Sequence, residues 1–348
     1  MSKRLQPYGS LQPTLDDVAR QAGVSTATVS RCLSAPNKVR PKLRGRVQEA
    51  IKATGYHPHG AARALASKRT NTIGAVLPTL DNAIFAKVAQ TLQDVLDARG
   101  RTLLLASSDY RPDRERSQIE NLIVRGVDGI MLTGELREPS LYRLLEKRGI
   151  RYVNTYVHHP FSAHPTIGFD NVAAMEKVVA YLYDLGHRSF AMIGGITAGN
   201  DRAEERIRGT REALSRRRIE LPRDRVFERP YSITAGREAF RKLNAMEKPP
   251  TAIVCGNDVL ALGAMLEAAA LGRAVPGDVS ITGFDDLELA REIAPGLTTI
   301  HAPLVDMGRR AADYLTAEEA DLDGTVQHVE LRAELVVRGS TGPAPASS

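Results

Sequence analysis

The 348-residue chain has no tryptophan, only two cysteines, and few aromatic residues of any kind. Each shortage excludes something. Cys32 and Cys255 lie too far apart for metal-ligand spacing and are too few for a disulfide scaffold, so they read as reduced thiols in a cytoplasmic protein. No apolar run approaches the ~20 residues of a membrane-spanning helix. The opening "MSKRLQPYGSLQP" has no apolar centre, which argues against a secretory signal. The phosphate-cradling G-x-x-x-x-G-K-[ST] and the G-x-S-x-G nucleophile elbow are both missing, and no G-x-G-x-x-G follows a strand. "IGGITAG" is glycine-rich but has the wrong spacing for a dinucleotide. His158 and His159 are adjacent, so they cannot share a helix face, and no third metal ligand accompanies them. These absences lead us to expect no enzyme activity, no metal, no cofactor and no membrane partner.

Acidic residues are also scarce, but only at one end. Residues 1–70 hold 13 Lys/Arg against Asp16, Asp17 and Glu49, while the remainder holds 34 Lys/Arg against 38 acids. A head with a surplus of ten positive charges on a mildly acidic body suggests a polyanion-binding module joined to something else. The head has helical periodicity, which a merely solvated basic tail would lack. In "TLDDVARQAG", Leu15, Val18, Ala19 and Ala22 share one helical face. Thr14 stands at the N-cap with Asp17 three residues on, and Gly23 follows the last turn. Ser25 can cap a second helix, "TATVSRCL", with Val29, Cys32 and Leu33 inward and Thr26, Ala27, Ser30 and Arg31 outward. Two short helices around a glycine turn form a helix-turn-helix. A third helix follows over roughly Pro41 to Thr54 and ends at "GYHPHG". The segment "AARALASKRT" after it is a short helix with one large apolar residue, Leu65, and no core of its own.

From Thr72 onward, short apolar strands alternate with amphipathic helices in two successive series, the second starting near "TIGFDN". This pattern predicts parallel sheets covered on both faces, arranged as two doubly wound lobes with a cleft between them. Ligands of such sheets bind beyond the carboxyl ends of the strands.

The blocks "TLDDVARQAGVSTATVSRCL", "GYHP" and "AARAL" closely resemble the head of the lactose-repressor/galactose-repressor (LacI/GalR) family. "TIGAVLP", "VDGIMLTG", "GHRSFAMIGG", "RIRGTREAL", "CGNDVLALGAM" and "VPGDVSITGFDD" resemble its periplasmic-binding-protein-like effector domain, in the same order. The resemblance covers roughly Leu11 to Thr341. It implies an all-α helix-turn-helix head on an α/β two-lobed body, acting as a ligand-responsive transcription regulator. The expected partners are a double-stranded operator, a small effector such as a sugar or sugar acid, and a second copy of the chain. The expected organisation is a flexible arm over 1–13, the DNA-binding domain over 14–57 and a hinge over 58–71. The effector and dimerisation domain spans 72–341, and a tail covers 342–348. Within the body, one lobe takes about 72–168 and 302–326 and the other about 169–301 and 327–341. Crossings fall near Gly168–Asn171, Thr299–Pro303 and Gln327–Glu330.

The resemblance also implies residue roles. Thr26, Ala27 and Arg31 fall on positions that read base edges, where an arginine suits guanine O6 and N7. Thr14, Ser25, Ser30 and Lys68 fall where phosphates are contacted, and Leu65 where a paired hinge helix wedges the minor groove. In the body, Arg206 matches the arginine that grips effector oxygens and Asp285 the carboxylate that accepts hydroxyls. Asn257 is a hydroxyl partner, Phe169 and Tyr231 offer aromatic faces, and Asn82 and Phe85 close the N-terminal side. Tyr156 stands where relatives often carry an acid, and Thr133 where they vary. Without the resemblance, Arg206 also suits a surface salt-bridge face, Asp285 a helix cap, and Phe169 an ordinary core. Two other classes compete: an enzyme on the same fold, and a transporter's solute-binding protein. The basic head and the missing leader argue against the second. Within the regulator reading, a non-sugar metabolite or an activating role is the alternative.

Overall fold

The computed structural model describes residues 13–34, 36–57, 69–318 and 326–346. These form two compact units, divided after Asn71.

The head is built on three helices, α1 (Leu15–Ala22), α2 (Thr26–Ser34) and α3 (Pro41–Thr54). Thr14 and Asp17 form a reciprocal capping box at the start of α1. Ser25 caps α2 by accepting the Thr28 N–H at 3.2 Å. The turn between the helices depends on Gly23, which sits at φ 61°, where a side chain is strained. Arg46 from α3 locks this turn by donating to the Ala22 carbonyl at 2.5 Å. Val18, Val29 and Val47, one from each helix, are fully buried and form the centre of a small core with Ala19, Ala22, Cys32, Val39, Ala50 and Tyr56.

The body contains two parallel sheets. The first has the order β11-β5-β4-β3-β1-β2, with β1 (Thr72–Leu77), β2 (Thr102–Ser107), β3 (Gly129–Thr133), β4 (Arg151–Thr155), β5 (Thr166–Gly168) and β11 (His328–Glu330). Helices α4 (Ala83–Ala98), α5 (Pro112–Val124), α6 (Pro139–Lys147) and α12 (Leu304–Thr316) cover it. Phe85, Val88, Leu92 and Leu96 of α4 and Met307, Ala311 and Leu315 of α12 share one core. The stretch "LVDMGRRAADYL" thus returns to the first lobe. The second sheet has the order β7-β6-β8-β9, with β6 (Phe190–Gly195), β7 (Val226–Arg229), β8 (Ala252–Cys255) and β9 (Ser280–Thr282). It is covered by α7 (Asn171–Asp184), α8 (Asp201–Arg216), α9 (Ile233–Asn244) and α10 (Asp258–Ala270). The short helix α11 (Glu288–Glu292) follows β9.

The chain crosses between lobes three times. The first crossing follows β5. The second follows β10 (Thr299–His301), which pairs antiparallel with β12 (Glu334–Val336). The third departs from expectation. Residues His328–Glu330 still belong to the first lobe, where they extend its sheet by pairing with Thr166–Gly168. The crossing therefore falls at Leu331–Ala333, and the pairing across the sheet carries no local signal that would have located it.

Candidate functional site

Two surfaces carry the expected residues. The first is the outer face of α2. Ala27, Ser30 and Arg31 are exposed there and Thr26 is half-buried, so the four side chains lie on the face opposite Val29 and Cys32. The spacing i, i+3, i+4 places Ala27, Ser30 and Arg31 together. The hydroxyl of Thr14 donates to Asp17 Oδ2 at 2.7 Å and accepts from the Asp17 N–H at 3.3 Å, so it serves as a cap. The Ser25 hydroxyl is likewise engaged with Thr28, 2.9 Å away. Leu65 and Lys68 lie outside the described residues.

The second is the cleft between the lobes of the body. Arg206, on the second turn of α8, points inward and is 5% exposed. Its Nε donates to Asn171 Oδ1 at 2.9 Å and its Nη1 to the Gly256 carbonyl at 2.7 Å. Its Cζ lies 3.6 Å from the centre of the Phe284 ring. Its Nη2 is 3.9 Å from Asp285 Oδ1. The salt-bridge face of this helix belongs instead to Arg208, Glu212 and Arg216. Asp285 caps no helix. It is held at φ 112°, a costly conformation for a residue with a side chain, and Tyr110, Tyr156 and Asp286 are also left-handed around the same cleft.

Asn82, Phe85, Tyr156, Arg206, Tyr231, Asn257 and Asp285 line one inner chamber together. Asn82, Asn200 and Asn257 each cap a helix, α4, α8 and α10, by accepting an N–H with the amide oxygen. Asn257 Nδ2 and Asp285 Oδ2 are buried with no hydrogen-bond partner. Such groups are rare in folded proteins, and two on one chamber wall fit a polar ligand that would pair them. Burial pushes the Asp285 carboxyl up to about 7, against the pull of Arg206.

Thr133 does not reach this chamber. It lines the adjacent one, beyond Tyr110 and Arg202, with its hydroxyl donating to the Val76 carbonyl at 3.2 Å. Phe169, expected at the cleft, lies instead in the core of the second lobe, 1% exposed, with its ring 5.8 Å from Phe284. It supports the ring under Arg206 and presents no face to the cleft. Tyr156, at the position of an expected acid, is fully buried against Phe85 and donates to the Ile84 carbonyl at 3.2 Å.

Sequence reasoning missed Tyr110, Asn200, Arg202 and a polar clasp between the lobes. Tyr110 and Tyr231 face each other at 5.8 Å, one from each lobe. Asp201, at the start of α8, accepts the N–H groups of Glu135 and Leu136, at 2.5 and 2.9 Å, from the loop after β3. The same loop's Glu135 and the second lobe's Glu205 hold His159 between them, the latter at 2.6 Å. Hydrogen bonds donated to these two carboxylates, Glu135 and then Glu205, raise the His159 pKa to about 10, so it is cationic at neutral pH. With the lobes clasped, each inner chamber holds about 20 Å³, room for one water-sized molecule. The mouth outside Tyr110 and Tyr231 is far larger, about 480 Å³.

A second buried carboxyl lies behind this wall. Asp258 accepts from Thr299 Oγ1 at 2.5 Å and from the Leu287 N–H at 2.7 Å. Burial, followed by repulsion from Asp285, pushes its pKa up to about 8. A carboxyl whose folded pKa is raised contributes stability below its unfolded value of about 4, and this is lost as pH rises through the folded value. Asp258→Asn should therefore flatten the fall in melting temperature between about pH 5 and 8 relative to the parent. Parallel curves in thermal melts across that range would show that Asp258 is ionised throughout.

Comparison with known proteins identifies both parts of the chain. Residues 14–59 match the profile of bacterial regulatory proteins of the lacI family, and residues 179–341 match a periplasmic binding protein-like domain. Catabolite control protein A of Priestia megaterium is 33% identical over 87% of this chain and 91% of its own length. The HTH-type transcriptional repressor CytR of Escherichia coli K12 is 32% identical over 95% of this chain and 97% of its own. A lac repressor dimer, solved bound to operator and an anti-inducer, matches with a TM-score of 0.84 at 25% identity, covering 95% of this chain and 99% of that one. These relatives are transcription regulators and not enzymes. By sequence over nearly its whole length, and by the architecture of head and body, the chain belongs to the LacI family of DNA-binding transcriptional regulators.

Proposed function

We propose that this protein is a cytoplasmic repressor that binds a two-fold symmetric operator as a homodimer and is controlled by a small hydroxylated effector, a sugar or sugar acid. The observation that carries the effector half is the cleft: Arg206 beside unpaired Asn257 Nδ2 and Asp285 Oδ2, with the Tyr110–Tyr231 pair at its entrance. A tilted pair of tyrosine rings and convergent polar groups suit a hydroxylated ring. The inner chambers are far smaller than such a ring, so the lobes must part to admit it and close again around it. The clasp of His159, Glu135 and Glu205 opens and re-forms in that cycle.

The DNA half rests on the basic head, the exposed Ala27, Ser30 and Arg31, and the half-buried Thr26. Ser25, which caps this helix, and Ser30, between Ala27 and Arg31, are the phosphate contacts beside the groove. One recognition helix per subunit implies a palindromic site. The relative solved as a dimer on its operator supports the same assembly. Leu65 and Lys68 belong to the hinge, with Leu65 as the minor-groove wedge and Lys68 on a phosphate. Selection of bound fragments from random DNA tests this half. A palindrome with one half-site per subunit is expected, and an asymmetric single site would contradict it.

A further inference from the structure

We infer that the cleft is built for an effector bearing a carboxylate, and that Arg202 is the residue that holds it. This rests on the reading of the cleft as the effector site.

Arg202 stands one turn before Arg206 on α8, on the same helical face, and is only 7% exposed. It forms part of the wall of both inner chambers. A guanidinium so buried needs acceptors for its donors. Its Nη1 donates to Asp201 Oδ1 at 2.7 Å. Its Nε and Nη2 donate to no acceptor among the described residues. These two groups form one edge of the guanidinium, with parallel N–H bonds at the spacing of a carboxylate's two oxygens.

Asp201 does not satisfy that edge. Its oxygens also accept the N–H groups of Glu135, Leu136 and Arg202 itself. Gly134, at φ +73°, lets the loop after β3 sit directly on the pair, since a Cβ there would collide with Arg202 Nη1 and Asp201 Oδ1. The pair is therefore fixed in place, with one edge of the arginine left over.

The rest of the wall favours an anion. The N-termini of α4, α8 and α10 converge on the same chamber, each with the positive end of its dipole. Arg206 adds a second guanidinium. The facing acid, Asp285, is pushed toward its neutral form. A neutral sugar would satisfy Asn257 and Asp285 but leave the Arg202 edge without an anionic acceptor. A sugar acid satisfies all three. A phosphate also carries oxygens for arginine, and the test separates it from a carboxylate.

The experiment uses the full-length protein with glucose, galactose, gluconate, glucuronate, galacturonate and glucose 6-phosphate as probes, by thermal shift and calorimetric titration. At least one carboxylate probe should raise the melting temperature where its neutral parent and the phosphate do not. Arg202→Gln should weaken that binding on the order of 100-fold, and Arg202→Lys, which keeps charge but not the fork, should fall between. Equal affinity for acid and neutral parent, a response to the phosphate alone, or unchanged acid binding in both variants overturns the proposal. A response to neutral sugars only, lost in Arg206→Gln, overturns the carboxylate while leaving the effector site standing. No response to any probe overturns both.

Discussion

Arg31→Ala should abolish the preference for operator over random DNA while leaving salt-sensitive binding to both. Arg31 is the one long polar side chain on the exposed face of α2; its neighbours Ala27 and Ser30 are short, and Thr26 is half-buried. A bidentate arginine–guanine contact discriminates by about 1–3 kcal/mol, and the proposed dimer would make it twice. Non-specific affinity comes from the other basic side chains of the head and their release of counterions, so the salt slope should change little. Ala27 presents only a methyl group to the groove, which places most of the direct readout on Arg31. Anisotropy titrations on operator and scrambled duplexes at several salt concentrations measure both terms. A uniform loss on all sequences would show that Arg31 only neutralises phosphate.

Arg206→Ala should abolish the effector response with a loss of about 2–5 kcal/mol in effector affinity. This arginine does three things at once. It stacks on Phe284, ties Asn171 to the Gly256 carbonyl, and is the one cation within 4 Å of Asp285 among the described residues. Its removal leaves Asp285 buried without a counter-charge, which drives that carboxyl further toward its neutral form. Lysine should not restore the response, because a point charge reproduces neither the fork nor the stack. Operator binding without effector should persist, since the head has a core of its own. Titration of the effector by calorimetry, beside operator binding by anisotropy, separates the two. Normal effector binding in Arg206→Ala would move the site elsewhere.

The alternation from Thr72 to Phe284 is legible in the sequence because each buried parallel strand is a short apolar run and each helix has an inward stripe. The helix-turn-helix is legible for a different reason: Thr14, Gly23 and Ser25 are local signals for caps and a turn, and each acts where it stands. Partners across the fold leave no such mark. Nothing near His328 shows that it joins Thr166. Phe169 and Tyr231 look alike in sequence, yet one is core and the other is entrance, because the difference lies in which element packs over each ring. Arg202 was hidden by Asp201, Glu204 and Glu205, which make the start of α8 look like a solvated charged turn. The one available signal was its spacing of four from Arg206. His159 was hidden because its carboxylate partners come from both lobes.

The regulator reading requires that head and cleft share one equilibrium, so that a ligand in the cleft alters operator affinity and operator alters ligand affinity by the same factor. The direct measurement is operator affinity of the full-length protein at fixed salt, without effector and at saturation. A change of about 5- to 150-fold, reproduced in the effector's own affinity when operator is saturating, is the expected result. Identical operator affinity in both conditions, with the cleft demonstrably occupied, would contradict it.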